Sequence, residues 1–448
     1  MGILSTLNVG STGLQVAADA ISVVGHNVTN ATTEGYSRQQ ISTSTLSPIF
    51  QSGLWMGQGV NATDIGRATN LFVAERAISA QGDASHAETA LTTHQLIEAS
   101  FTTGSSPSDK LSEFFDAMEE LTTDPASDNY RSAVLTAAES LTASVRTTYT
   151  DMTDIQSTLT DEIEDSVDGV NDALSRIAQL NGLIGSGGSA DLMDERDGLI
   201  AELASTVGAT VDYSSDGSAT VFIGGHAAVM DSSARELSVT VASNGSAEIF
   251  LSVDEGTVTV TDDVGGAMGG ALEGWAASQS VIDSLDAFVS GFGASFNTQH
   301  AAGFDSTGTA GGDFFDFNPT NPAGSFTLNI DDIDLIAAAS NSSAAAGDRG
   351  NLDALIALKD DNAIGTEGAL DYMSGLVHDV ASAVSSAELR FETDSASLED
   401  AAALMSSISG VDLDEEAADL LSWQAAYQAA ARVITATDEM LAELMNIV

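Results

Sequence analysis

Apolar residues recur through the first 28 positions at alternating spacings of four and three: Ile3, Leu7, Gly10, Leu14, Ala17, Ile21, Val24 and Val28. This is an a/d heptad register, and it predicts one amphipathic helix of roughly 39 Å. Two seam positions are Gly and Ala, so the helix is weak alone and needs a closely approaching partner. The far end of the chain repeats the pattern with Leu420, Trp423, Tyr427, Ala430, Ile434, Thr437, Leu441, Leu444 and Val448. Asp412 and Glu415 mark its start as D-x-x-E, and Asp414, Glu415 and Glu416 sit where a helix dipole favours negative charge. Two such stripes at opposite ends of a chain most simply pair as a coiled coil. Burying a large seam side chain stabilises by about 1.5–3 kcal/mol, and Ala by much less. The pair is therefore expected to be marginal in a lone chain and firm only when other copies cover its remaining faces.

Between the two stripes the period of 3.6 persists. Ser106-Pro107 opens a helix over 107–121 with Leu111, Phe114, Phe115, Met118 and Leu121 inside. A longer helix over 126–184 carries a seam from Val134 to Ile177, with a stutter at Ile163 and Val167. Further helices are expected near 275–297 and 370–408. From Val207 to Asp263 the pattern changes to short alternating runs, TVDYS, ATVFIGG, LSVTVAS, AEIFLSV and TVTVTD, separated by Gly-containing turns. These predict a small antiparallel β domain, and 324–338 adds a shorter β-like piece. The fold class is mainly α with a β insertion, built from paired terminal helices, a helical-bundle rod and the inserted β domain. The expected division is 1–70 with 403–448, 71–206 with 272–402, and 207–271.

Composition narrows the functions. The chain has 66 acidic against 13 basic residues and no cysteine. Such a balance argues against nucleic acid and anionic membranes as partners. It also predicts that packed copies repel, so that their assembly strengthens with salt. No thiolate metal site, disulfide or cysteine nucleophile is possible. No apolar run reaches membrane-spanning length, and the N-terminus lacks the pattern of a cleaved signal peptide. His86 and His94 lie eight apart, on what reads as a solvated helix face without a metalloprotease motif. His300, near Asp305 and Asp313, is expected to pack against or cap the loop 303–323. The aspartates of that loop lack a calcium loop's ligand spacing. No catalytic, metal or cofactor site is expected.

The segment after the first helix, NVTNATTEGYSRQQ at 27–40, does carry a pattern. Gly35 permits a conformation closed to other residues, and Asn27 and Asn30 can satisfy carbonyls at the helix end. Tyr36 supplies an aromatic with a polar tip, and Arg38 a scarce cation. The expected elbow is a turn that also contacts a neighbouring copy.

That elbow resembles the N-x-(A/S)-N…G-Y-(S/K)-R motif of the axial proteins of the bacterial flagellum, with Asn27, Asn30, Gly35, Tyr36 and Arg38 at the matching positions. DLMDERDGLIAEL (191–203), FNTQHAAGFDSTGTAGGDFF (296–315) and the C-terminal segment from SGVDLDEEAADLL onward resemble, in order, motifs of the FlgK family of hook–filament junction proteins. The resemblance implies a structural subunit, not an enzyme, whose terminal helices pack as a coiled coil along a central channel. It further implies self-association into a ring-like junction and contact with the flagellar hook protein and the second hook–filament junction protein. Delivery by a flagellar export chaperone, type III export without a cleaved signal, and an extracellular location also follow from it. After DFFDF the chain runs almost directly to FTLNI, so an outer domain of longer members is expected to be missing. Alternatives are another axial subunit of the hook or distal rod, or a secreted adhesin or enzyme using the β insert.

Overall fold

The computed structural model describes residues 2–447 except 34, 52, 103–105, 215–216 and 344–346, with backbone alone at 2, 3, 51, 102, 361, 362, 446 and 447. Helix α1 (Gly2–Asn30) leads through the elbow to β1 (Gln39–Thr45), a short hairpin of β2 (Ile49–Gln51) and β3 (Leu54–Met56), and the returning β4 (Val60–Arg67). Four helices follow: α2 (Leu71–Thr102), α3 (Pro107–Leu121), α4 (Asp128–Gly185) and α5 (Ala190–Val207). Then come β5 (Thr210–Tyr213), β6 (Ala219–Ile223), β7 (His226–Met230), β8 (Ser233–Ala234), β9 (Leu237–Val241), β10 (Ala247–Val253) and β11 (Gly256–Thr259). The return path is α6 (Gly266–Phe288), a π turn at Val289–Gly293, α7 (Ala294–Ala301), the small pair β12 (Phe315–Asp316) and β13 (Thr327–Leu328), α8 (Gly350–Ala357), β14 (Asp361–Ile364), α9 (Ala369–Ser409) and α10 (Leu413–Ile447).

The expected class, mainly helical with inserted antiparallel strands, is the observed one. Helix α3 starts where Pro107 and Ser106 place it, with the Ser106 hydroxyl accepting the Asp109 N–H at 3.2 Å. The seam of α4 from Val134 to Ile177 is buried, apart from the half-buried Ile155. The β insert holds two sheets, ordered β5-β6-β7-β8 and β11-β10-β9, with every pairing antiparallel. Strand β7, HAAVM, was not expected, since two alanines mask an alternation that the sheet nevertheless uses. TVTVTD ends as a strand at Thr259 and turns through 3-10 helix at Thr261–Asp263. Of the β-like piece at 324–338 only Thr327–Leu328 pairs, opposite Phe315–Asp316.

Two differences from the sequence reading share one cause, close approach of helices through small residues. Helix α6 begins at Gly266 rather than near 275, because Gly269, Gly270 and Gly274 let it lie directly on α2; a Cβ at Gly270 would collide with the His86 carbonyl, and one at Gly274 with Thr93. Helix α2 buries Ala74, Ala80, Ala84, Ala87 and Ala90, a face too weakly apolar to stand out in sequence.

The rod has two hydrophobic cores strung along α4. One gathers Phe114, Phe115, Phe288, Phe292, Phe296, Phe314, Phe315 and Phe326, and its aromatic rings meet at 4.8–6.0 Å, as for Phe314–Phe315 and Phe114–Phe314. The other joins the second half of α4, α5 and the first part of α6 to the inward faces of the β insert, including Ile200, Val221, Ile223 and Ile249.

The terminal helices α1 and α10 pack antiparallel. Gly10 lies against Ile434, Val433 and Ala430, Gly13 against Ala430, and Asn27 bonds to Glu416. Extending this register places Ile21 level with Trp423 and Val24 level with Leu420. Val24 is buried, and Leu7, Leu14, Ile21, Leu420, Trp423, Ile434 and Leu441 are half-buried. Three seam positions need correction: Val28, Tyr427 and Leu444 are 45%, 39% and 50% exposed. A straight helix drifts about 20° per heptad from a 3.5-residue repeat, and over four heptads this turns Asn27 inward in place of Val28. The side chains of Ile3 and Val448 lie outside the described residues. The β1–β4 ribbon covers another face of α1, where Val16, Ala20 and Val23 are buried, and Gly59 lies against Val9 and Thr12.

Candidate functional site: the elbow clasp

The elbow closes around one amide. Asn27 is 1% exposed and all its hydrogen-bonding positions are filled from its own chain. Its Nδ2 donates to the Gln39 carbonyl at 2.9 Å and to Glu416 Oε2 at 3.1 Å. Its Oδ1 accepts from the Tyr36 hydroxyl at 2.7 Å and the Gln39 N–H at 2.9 Å. Asn30 donates to the His26 carbonyl at 3.0 Å, satisfying an end of α1. Gly35 takes φ 75°, which reverses the chain. Tyr36 then lies edge-on to His26 at 5.6 Å. Burial, followed by the charges of Asp191, Asp194 and Glu416, pushes the Tyr36 phenol well above its ordinary range, so it stays a donor.

Arg38 joins this knot to the start of α10. Its Nε donates to Glu416 Oε1 at 2.7 Å, Nη1 to Glu415 Oε2 at 3.1 Å and Nη2 to Asp419 Oδ2 at 3.3 Å, while its backbone N–H reaches the Ser409 carbonyl at 2.8 Å. Burial alone would weaken the guanidinium's hold on its proton, but the hydrogen bonds and charges of Glu416 and Glu415 outweigh it and raise the pKa. Glu416 is 1% exposed, so this is a buried, fully bonded pair. Asp412 caps α10 by accepting from the Asp414 and Glu415 N–H groups, while the Glu415 side chain turns to Arg38. All the elbow residues are thus brought together, but Asn27 has no capacity left for a neighbouring copy. At Asn27 the turn expected to contact a neighbouring copy is a clasp within the chain.

A second partner of the clasp escaped the sequence reading. Helix α5 presents Asp191, Asp194 and Asp197 at spacings of three, which place them along one side of a helix. Asp191 accepts from Gln39 Nε2 at 2.7 Å and contacts His26 at 3.2 Å; Asp194 accepts the Ser37 N–H at 3.1 Å. Arg67, at the end of β4, donates to both Asp194 and Asp197 at 2.8 Å. Asp197 also accepts from Arg196, which is buried over the Tyr213 ring at 5.2 Å. The elbow therefore fastens the terminal helices to the rod. Its rail of aspartates lies inside the segment DLMDERDGLIAEL; in so acidic a chain, their common spacing was the available signal.

The histidines are placed differently from expectation. His86 and His94 do not face open solvent: they converge from α2 on Glu273 of α6 at 2.8 Å and 3.9 Å, and Arg390 of α9 joins at 3.1 Å. The hydrogen bond to His86, with His94 and Arg390 close by, holds the Glu273 carboxyl far below the usual carboxylate range. His300 is fully buried: Nδ1 bonds the Gly312 carbonyl at 2.7 Å and Nε2 accepts the Ala337 N–H at 3.0 Å. Burial lowers its pKa, and the neutral ring pins the loop to the rod as expected. No group of metal-ligating side chains occurs among the described residues. No described helix is long and apolar enough to cross a membrane.

Residues 95–315 match the family described as flagellar hook-associated protein FlgK helical domain, and residues 404–447 match flagellar basal body rod FlgEFG protein C-terminal. The chain is 27% identical to flagellar hook-associated protein 1 of Escherichia coli K12, over 69% of this chain and 60% of that protein. It is 26% identical to flagellar hook-associated protein 1 of Bacillus subtilis 168, over 95% of each. The flagellar hook junction protein FlgK from Burkholderia pseudomallei shares its fold, with a TM-score of 0.66 and 16% identity over 75% of this chain and all of that one. The chain spans about 60% of the length of its Escherichia coli relative. These matches make it an axial protein of the bacterial flagellum. Within that class it belongs to the FlgK family of hook-associated proteins.

Proposed function

We propose that this chain is a structural subunit joining hook to filament, with no catalytic step. It is exported unfolded by the flagellar type III apparatus and acts outside the cell, in contact with further copies, the hook protein, the second junction protein and, before export, a dedicated chaperone. One observation carries the reading: α10 buries no apolar side chain among its described residues, only Glu416 and Thr437. Leu421, Tyr427, Val433, Met440, Leu444 and Met445 are exposed. A helix of this length needs tertiary packing of its apolar face to be stable, and within one chain that packing is incomplete. Further copies would complete it. The division into 1–70 with 403–448, 71–206 with 272–402, and 207–271 is retained as a proposal, with the β insert resting on α4 and α5 through their common core.

The test is removal of residues 420–448 in a strain lacking the native chain. Cells should then carry hooks without filaments and shed monomer whose β insert still resists protease. Filament growth on the truncated chain would overturn the reading.

A further inference from the structure

The β2–β3 hairpin ends the ribbon in an unsupported apolar tip. Phe50, Leu54 and Trp55 are 61%, 70% and 71% exposed, and the two aromatic rings lie against each other at 5.2 Å. The tip is also electrically silent: between Arg38 and Asp64 no residue carries a charge, in a chain with 66 acidic residues. At the opposite end of the ribbon, beside the elbow, a cavity of about 470 Å³ opens between α2, α5 and the end of α9. One wall is apolar, with Ala77, Ile78, Ala201, Leu398, Ala402 and Met405, and faces a polar side that includes Gln81 and the rings of Tyr36 and Tyr213. The two carboxylates on its rim, Asp194 and Asp197, are both paired with Arg67. Its volume falls within the range of pockets that take small ligands, and its apolar wall with a few polar groups suits a side chain with an apolar body.

We propose that the aromatic tip of one copy docks in the elbow cavity of a second copy. The proposal rests on the reading that copies assemble, and specifies where they touch. A chain cannot fill its own cavity. The seven-residue ladder from Gln39–Arg67 to Thr45–Val60 holds tip and cavity about 20 Å apart. Gly59, packed on Val9 and Thr12, fixes the tip end beside the first half of α1, whereas the cavity lies beyond its last turn. The two surfaces differ, so their contact is head-to-tail and leaves a free tip and a free cavity on every added copy; self-complementary contacts would instead close as a dimer. Charge selects the same pairing, because an uncharged tip meeting an ion-paired rim avoids the repulsion that most surfaces of this chain would meet.

The absence of native cysteine gives a clean test in the full chain. Leu54→Cys leaves the aromatic pair intact, and Ala402→Cys lies on the cavity wall. Chains bearing one substitution are mixed with chains bearing the other, assembled on isolated hooks and oxidised. Mixed disulfide dimers should exceed those from either variant alone severalfold, and the doubly substituted chain should form a ladder of trimers and larger species. The double variant Phe50→Ala/Trp55→Ala should keep the monomer's unfolding midpoint and lose assembly. Particles that assemble without the mixed disulfide would overturn the docking and leave the junction reading standing. So would preferential linkage of Leu54→Cys to itself or to Tyr427→Cys. If the unmodified chain adds to no hook, both fall.

Discussion

The rod and the terminal helices are built to opposite rules. Eight phenylalanines of the rod core are each 1% exposed or less, whereas the described apolar side chains of α10 are half-buried at best and many are exposed. Charge is divided in the same way. Residues 1–70 carry three acidic residues, Asp19, Glu34 and Asp64, against two basic ones, Arg38 and Arg67, so most of the chain's net charge of −53 lies elsewhere. The rod therefore stabilises itself and keeps neighbours at a distance, while the N-terminal stretch is nearly neutral and the terminal helices stay incompletely packed. The lesson is that a single polypeptide can hold its fold and its assembly surface apart, with the elbow clasp as the mechanical join between them.

The largest way to separate the two regions is a cavity in the rod. Phe114→Ala should lower unfolding stability in denaturant by about 3–5 kcal/mol, since the residue is fully buried among aromatic rings. Hydrogen exchange in α10 should change little below the unfolding transition; a parallel loss there would show that the regions are one cooperative unit.

A smaller effect is expected at the join. Glu416→Gln keeps shape but removes the charge that meets Arg38 at 2.7 Å, with Glu415 and Asp419 still available. The expected cost is about 1–3 kcal/mol, read as faster exchange in α10 and the elbow. An unchanged exchange rate would mean the clasp does not hold the terminal helices.

Acid should act on the rod through Glu273. Its folded pKa lies below the unfolded value of 4.5, so its contribution is fully present above that value and is lost as pH falls through the folded one. The groups facing it are His86, His94 and Arg390, with Asp83 and Asp394 near Arg390. Glu273→Gln should flatten the fall of the unfolding midpoint below pH 4.5; an equal slope in both proteins would exclude this carboxylate as its cause. Smallest for the lone chain is Ile434→Ala, at about 1 kcal/mol, because the residue is already half-exposed to water. Its effect on assembly should be far greater, measurable as loss of filament-bearing hooks at unchanged monomer stability.

The segments legible in sequence are those whose periodicity is strong and local. Helix α3 with its Ser-Pro start, the long seam of α4 and the opposed apolar stripes of α1 and α10 all follow from spacing alone, because helical geometry converts spacing directly into faces. The alanine face of α2 and the glycine-rich start of α6 were illegible for a common reason. A face of small residues is buried only where another backbone comes close, and neither segment shows that by itself. The same limit hid the aspartate rail of α5 and the meeting of His86 and His94 on Glu273.

The sequence by itself thus determined most of the helices and strands, the apolar side of those with a strong period, and that the turn after α1 is Asn-, Gly- and Tyr-dependent. Tertiary structure decided the partners: that Asn27 rather than Val28 faces inward, that Arg38 selects Glu416, and that tip and cavity end up at opposite ends of the ribbon. The physical reason is range. Backbone sterics and helical period act over a few residues, whereas a carboxylate acquires its partner only when packing brings distant segments within hydrogen-bonding distance.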